Sequence, residues 1–97
     1  MAPIENKAHT ATANRIATNF GTTYNSGSGF DIQTDQMTIE VETTATVQDA
    51  IGRLLDQPGK VYVALTNKNG VTEAVRLVAN TKVGVMDPYG KIVRECE

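Results

Sequence analysis

Apolar residues recur at helical spacing in two segments of the chain. A helix over residues 5–19 is predicted because one stripe follows the i, i+3, i+4, i+7 spacing: Ala13, Ile16, Ala17 and Phe20. Gly21 stands where such a helix ends. A second helix is predicted over residues 46–55, where Thr46 and Asp49 have the spacing of a capping box. Its apolar face comprises Val47, Ala50, Ile51, Leu54 and Leu55.

Apolar and polar residues alternate in two segments that are separated by Asp35 and Gln36. This period of two predicts strands at residues 30–33 and 37–43, joined by a tight turn. β-Branched and largely apolar runs predict four more strands, at residues 22–24, 60–66, 83–86 and 91–94.

The segment after residue 67 has two interpretations. Asn69-Gly70 is a strong hairpin signal. The helical spacing of Val71, Ala74, Val75 and Val78, with Thr72 as a cap, favours a helix instead. With that helix the order is α-β-β-β-α-β-α-β-β, which predicts an α/β fold, a central mixed sheet flanked by helices, in a single domain of residues 1–97.

Composition and charge exclude several classes of protein. The net charge of −2 argues against a histone-like basic binder, because sequence-independent phosphate affinity scales with the cations presented. The single cysteine, Cys96, excludes an intramolecular disulfide and a cysteine-rich zinc site. No apolar run reaches the roughly 18 residues of a membrane span, and no signal peptide is visible. We therefore expect a cytoplasmic protein with no membrane partner.

Three carboxylates fall on one face of the hairpin predicted at residues 30–43. A two-residue turn places Ile32 opposite Ile39 and Asp31 opposite Glu40, so that apolar pairs with apolar and polar with polar. Glu42 lies on the same face as Asp31 and Glu40. Like charges this close repel, and a hard divalent ion such as Mg²⁺ binds such carboxylates. The alternative is a solvated polar face without chemistry.

The motifs around these carboxylates resemble those of the PD-(D/E)XK nuclease superfamily, especially small archaeal Holliday-junction-resolvase-like and Mrr-like proteins. Residues 29–32 (GFDI) stand where the family has a "PDI" strand, and residues 39–43 (IEVET) stand where it has "IEVKT". Gln48 matches the glutamine of the related exonuclease-type motif. The segment VTEAVRLVANTKVGVMDPYGKIV resembles the Mrr-type ending. The resemblance implies a restriction-endonuclease-like fold.

The resemblance also implies a Mg²⁺- or Mn²⁺-dependent DNA endonuclease that acts as a homodimer, possibly on branched DNA. Asp31 and Glu40 would bind the metal together with the Val41 carbonyl. Glu42 would be a third ligand or the general base, and Gln48 would orient substrate or a metal-bound water. Two departures are visible: Glu42 replaces the family lysine, and the first helix offers His9, Thr12 or Asn14 where the family has a glutamate, since Glu5 is too early.

Basic side chains are the candidates for phosphate contact. Arg15, Arg53 and Lys60, with Lys68 and Lys82, can grip phosphates around a cleft, or they are scattered solvated charges. His9 is a metal ligand, a general base or simply an exposed residue. Two other functions stay open: a catalytically inactive nuclease-fold module that binds nucleic acid or a protein partner, and a small regulatory or structural α/β protein.

Overall fold

The computed structural model describes residues 7–27 and 29–97, which form three helices and five strands. The helices are α1 (Lys7–Asn19), α2 (Val47–Leu54) and α3 (Lys68–Leu77). The strands are β1 (Ile32–Gln33), β2 (Met37–Glu42), β3 (Lys60–Leu65), β4 (Gly84–Met86) and β5 (Ile92–Arg94). Residues 5 and 6 of the first predicted helix, and Glu5 with them, lie outside the described residues.

The five strands form one mixed sheet in the order β1-β2-β3-β4-β5. The central pairs β2–β3 and β3–β4 are parallel, and the outer pairs β1–β2 and β4–β5 are antiparallel. The predicted hairpin register is confirmed, because Ile32 pairs with Ile39 and Gln33 pairs with Thr38. The α/β fold with a central mixed sheet flanked by helices is therefore confirmed at this level.

Helices cover both faces of the sheet, and alternation along β3 assigns the two cores. Val61, Val63 and Leu65 pack with α2 and α3 in one apolar cluster. Tyr62 and Ala64 belong to the other cluster, which α1 covers with Ala13, Ile16 and Ala17. A parallel strand buried on both faces reads as a continuous apolar run, as the segment VYVAL does.

The predicted strand at residues 22–24 is wrong. Gly21 has a φ of 69° and turns the chain at the end of α1. The Thr22 N–H then donates to the Ala17 carbonyl at 2.9 Å, which satisfies a free carbonyl of the last helical turn. That backbone donor is therefore used by the helix end, and the local β preference of this threonine-rich segment does not prevail.

The helical interpretation of the segment after residue 67 is confirmed, but the helix begins earlier than predicted. Asn67, and not Thr72, is the N-cap, because its side chain accepts a 2.7 Å hydrogen bond from the Gly70 N–H. Gly70 therefore belongs to the first turn of α3, and the hairpin alternative is wrong.

The predicted capping box at the start of α2 is wrong as well. Thr46 stands at the N-cap, but its hydroxyl makes no cap hydrogen bond. It donates instead to Glu42 Oε2 at 2.6 Å, since an ionised carboxylate is a stronger acceptor than a hydroxyl is for a helix N–H. Among residues 7–27 and 29–97, no helix is long and apolar enough to cross a membrane.

Candidate functional site

Asp31 lies directly before β1, and its carboxylate is held by two groups. Oδ2 accepts the Val41 N–H at 2.9 Å and lies 3.2 Å from Nε2 of His9 on α1. The His9 ring also packs edge-on against Tyr24, with ring centroids 5.7 Å apart. The Asp31 side chain is 17% exposed. Asp31 thus connects the first helix to the hairpin.

Glu40 lies in the middle of β2 and is the most buried of the three carboxylates, with a side chain that is 7% exposed. Its Oε2 accepts from Arg53 Nε at 3.2 Å and from Arg53 Nη2 at 2.6 Å. Its Oε1 accepts the Asp31 backbone N–H at 3.0 Å. A buried carboxylate is costly unless it is paired, and here both oxygens have partners.

Glu42 lies two residues farther along the same face of β2. Its Oε1 accepts from Arg53 Nη2 at 3.0 Å, and its Oε2 accepts from the Thr46 hydroxyl. Burial raises the pKa of the Glu42 carboxyl, and the charges of Glu40 and Asp31 raise it further. The Thr46 hydrogen bond and Arg53 oppose that increase in pKa, but they do not cancel it.

Arg53, in the last turn of α2, bridges two of the three carboxylates through one nitrogen atom, Nη2. Hydrogen bonding to Glu40 is the main reason that the pKa of its guanidinium is raised. The Arg53 side chain is 53% exposed, so its outer edge faces solvent. The predicted triad therefore divides: Glu40 and Glu42 share Arg53, whereas the Asp31 carboxylate contacts His9.

The donor set of this cluster suits a hard divalent ion in its chemistry, since all donors are carboxylate oxygens. Glu40 and Glu42 converge on one cationic atom, so this pair fits a cation by the contacts it already makes. Within the described part of the chain, no group of three or more histidine, cysteine or acidic residues is placed to hold a metal ion. Asp31 would have to turn away from His9 to become a third ligand.

The other predicted site residues have different positions. Gln48 is exposed in the first turn of α2, and Val41 is buried with its N–H donated to Asp31. Arg15, on α1, donates to the Pro88 carbonyl at 3.0 Å and stacks on the Tyr89 ring, so the structure uses it to hold a turn.

Lys60, the third predicted phosphate contact, opens β3 opposite Met37. Glu42 is five residues farther along β2, about 16 Å from that end of the strand pair. Arg15, Arg53 and Lys60 therefore do not form one continuous basic surface. The sequence analysis missed the pairing of Arg53 with Glu40 and of His9 with Asp31, because each joins a helix to the sheet across many residues.

No family model, curated protein or solved structure matches this chain. The resemblance to the PD-(D/E)XK nucleases therefore stays a prediction, and the function has to be argued from the site itself.

Proposed function

We propose that this chain is a metal-dependent DNA endonuclease of the PD-(D/E)XK type, with a restriction-endonuclease-like sheet. The observation that carries the proposal is the convergence of Glu40 and Glu42 on a single cationic atom, Arg53 Nη2, at the end of the hairpin. Asp31 is adjacent, since its backbone N–H binds Glu40. The antiparallel hairpin followed by a parallel crossover to β3 also agrees with the motif order described above.

A bound Mg²⁺ or Mn²⁺ would supply positive charge to the scissile phosphate and acidify a water molecule. Glu40 and Glu42 would hold the ion, with Asp31 and the Val41 carbonyl as further candidate donors. Glu42 also suits the role of general base, because burial raises the pKa of its carboxyl, and a proton acceptor works best with a pKa near the working pH. Gln48, exposed on the first turn of α2, would contact substrate.

A second candidate function is favoured by the completeness of the hydrogen-bond network. Arg53 neutralises Glu40 and Glu42, and Asp31 is held by Val41 and His9, so the cluster is satisfied without a metal. The chain would then be a catalytically inactive nuclease-fold module that binds nucleic acid or a protein partner.

Metal binding and cleavage separate the two functions. The wild-type protein, Glu40→Gln and a control, Glu73→Gln, are titrated with Mn²⁺ by calorimetry and incubated with duplex and four-way-junction DNA. Glu73 is a suitable control because it lies on α3 and pairs with Arg76, outside the cluster. We expect wild type and control to bind and cleave, and Glu40→Gln to bind Mn²⁺ at least about tenfold more weakly.

An absence of Mn²⁺ binding and of cleavage in the wild-type protein would overturn the nuclease proposal. DNA binding in a gel-shift assay under the same conditions would then support the inactive module. We also propose that the protein is a homodimer, since β5 has a sheet neighbour on one side only and Val93 on it is exposed. Light scattering at high micromolar concentration should give twice the mass of the chain, and the mass of a monomer would refute this.

A further inference from the structure

Arg53 occupies the point at which Glu40 and Glu42 converge. Its Nη2 lies 2.6 Å from Glu40 Oε2 and 3.0 Å from Glu42 Oε1. These are the two oxygens that a metal ion between the carboxylates would need. A guanidinium and a divalent ion cannot both occupy this point, so any ion that binds here has to displace Arg53.

The remaining carboxylate oxygens are held by groups that do not depend on Arg53. Glu40 Oε1 accepts the Asp31 backbone N–H, and Glu42 Oε2 accepts the Thr46 hydroxyl. When the guanidinium leaves, these contacts keep both side chains in place, and Glu40 Oε2 and Glu42 Oε1 still face each other. The pair is therefore preorganised for a cation other than Arg53.

The Arg53 side chain is able to leave because it is attached at the surface. About half of it is exposed, and its guanidinium bonds only acidic oxygens among the contacts that the structure gives it. A long arginine side chain at a helix surface can swing its charged end into water without opening a cavity in the core. The core cluster around α2 is formed by Val47, Ala50, Ile51 and Leu54.

We propose that Arg53 is a latch on the metal site: its guanidinium competes with the divalent ion for Glu40 and Glu42 and has to leave before the ion binds. This inference rests on the proposed metal-dependent function and adds a regulatory step to the same site. It predicts that the apparent metal affinity of the wild type is lowered by the fraction of molecules in which the latch is closed.

The test compares Mn²⁺ binding by calorimetry in the wild type, Arg53→Gln and Arg76→Gln. Arg76 is the matched control, because it is an exposed arginine in the last turn of a neighbouring helix and pairs with Glu73. We expect Arg53→Gln to bind Mn²⁺ about tenfold more tightly than the wild type, within the usual range of coupling between two binding events. Arg76→Gln should bind as the wild type does.

A second measurement uses the wild type alone and does not depend on the stability of the variant. The Nε–H resonance of Arg53 is followed by nitrogen-15 NMR during titration with Mg²⁺, and it should move toward the position of a solvated arginine at the same concentrations at which Mg²⁺ binds. Equal Mn²⁺ affinity in the wild type and Arg53→Gln, with an unmoved Arg53 resonance, would overturn the latch and leave the metal site standing. An absence of metal binding in both proteins would overturn the proposed function and the latch together.

Discussion

The stability of Arg53 and Glu40 variants gives a sharp test of the electrostatics of the cluster. Glu40 and Glu42 project from the same face of β2, about 6.6 Å apart along the strand. At an effective dielectric constant of about 20, two such charges repel by about 2.5 kcal/mol. Arg53 offsets this repulsion, and its bond to Glu40 joins a buried group to a half-exposed one.

The contribution of that ion pair lies between two known limits. Exposed pairs contribute up to about 1 kcal/mol, and the loss of one partner of a buried pair costs about 3–5 kcal/mol. For a half-exposed arginine we take about 2 kcal/mol. Arg53→Gln should therefore destabilise the protein by about 2 kcal/mol. Glu40→Gln loses the same bond but removes the repulsion, so its net effect should be within about 1 kcal/mol of zero.

The double variant carries the decisive comparison. Adding Glu40→Gln to Arg53→Gln removes a repulsion that no cation then offsets, so the double variant should be about 2 kcal/mol more stable than Arg53→Gln alone. Urea unfolding followed by circular dichroism at low salt measures these differences, with Arg76→Gln as a control expected within about 0.5 kcal/mol of the wild type. A double variant as unstable as Arg53→Gln, or less stable, would refute the reasoning.

Three further predictions follow from particular contacts. Because the folded-state pKa of Glu42 is raised, its ionisation destabilises the fold as the pH rises above about 4.5, its ordinary value, so Glu42→Gln should be more stable than the wild type at neutral pH, and urea midpoints should converge below that pH. Gly84→Ala would place a Cβ 2.6 Å from the Tyr62 ring and the Arg94 carbonyl, and should cost about 3 kcal/mol in the same assay. Asn67→Ala removes the α3 cap and should cost about 1 kcal/mol, and an unchanged urea midpoint would contradict this.

The hairpin could be predicted from sequence because two constraints agreed. Alternation in residues 30–33 and 37–43 allows only one register that keeps apolar residues on one face, and a two-residue turn fits the same register. Ile32 pairs with Ile39 for that reason. The error at residues 22–24 had the opposite cause, since a local β preference gave way to the hydrogen bonds that end α1.

The pairing of Arg53 with Glu40 depends on the path of the chain between β2 and β3. After β2 the chain turns at residues 43–46, and α2 returns along the sheet. Arg53 is then about 9 Å down the helix from Val47, and Glu40 is about 10 Å down the strand from Thr43. The match becomes visible only when the helix is known to return directly over β2, which the sequence pattern alone does not specify.

The turn at residues 87–90 ties the end of the chain to its first helix. Arg15 donates to the Pro88 carbonyl and Asn19 donates to the Tyr89 carbonyl at 2.8 Å, contacts that span 73 and 70 residues. Closing so long a loop is entropically costly, so α1 docks fully only after the last hairpin has formed. Synthesis of the chain on the ribosome therefore leaves the apolar stripe of α1 without its complete partner surface until the final residues emerge.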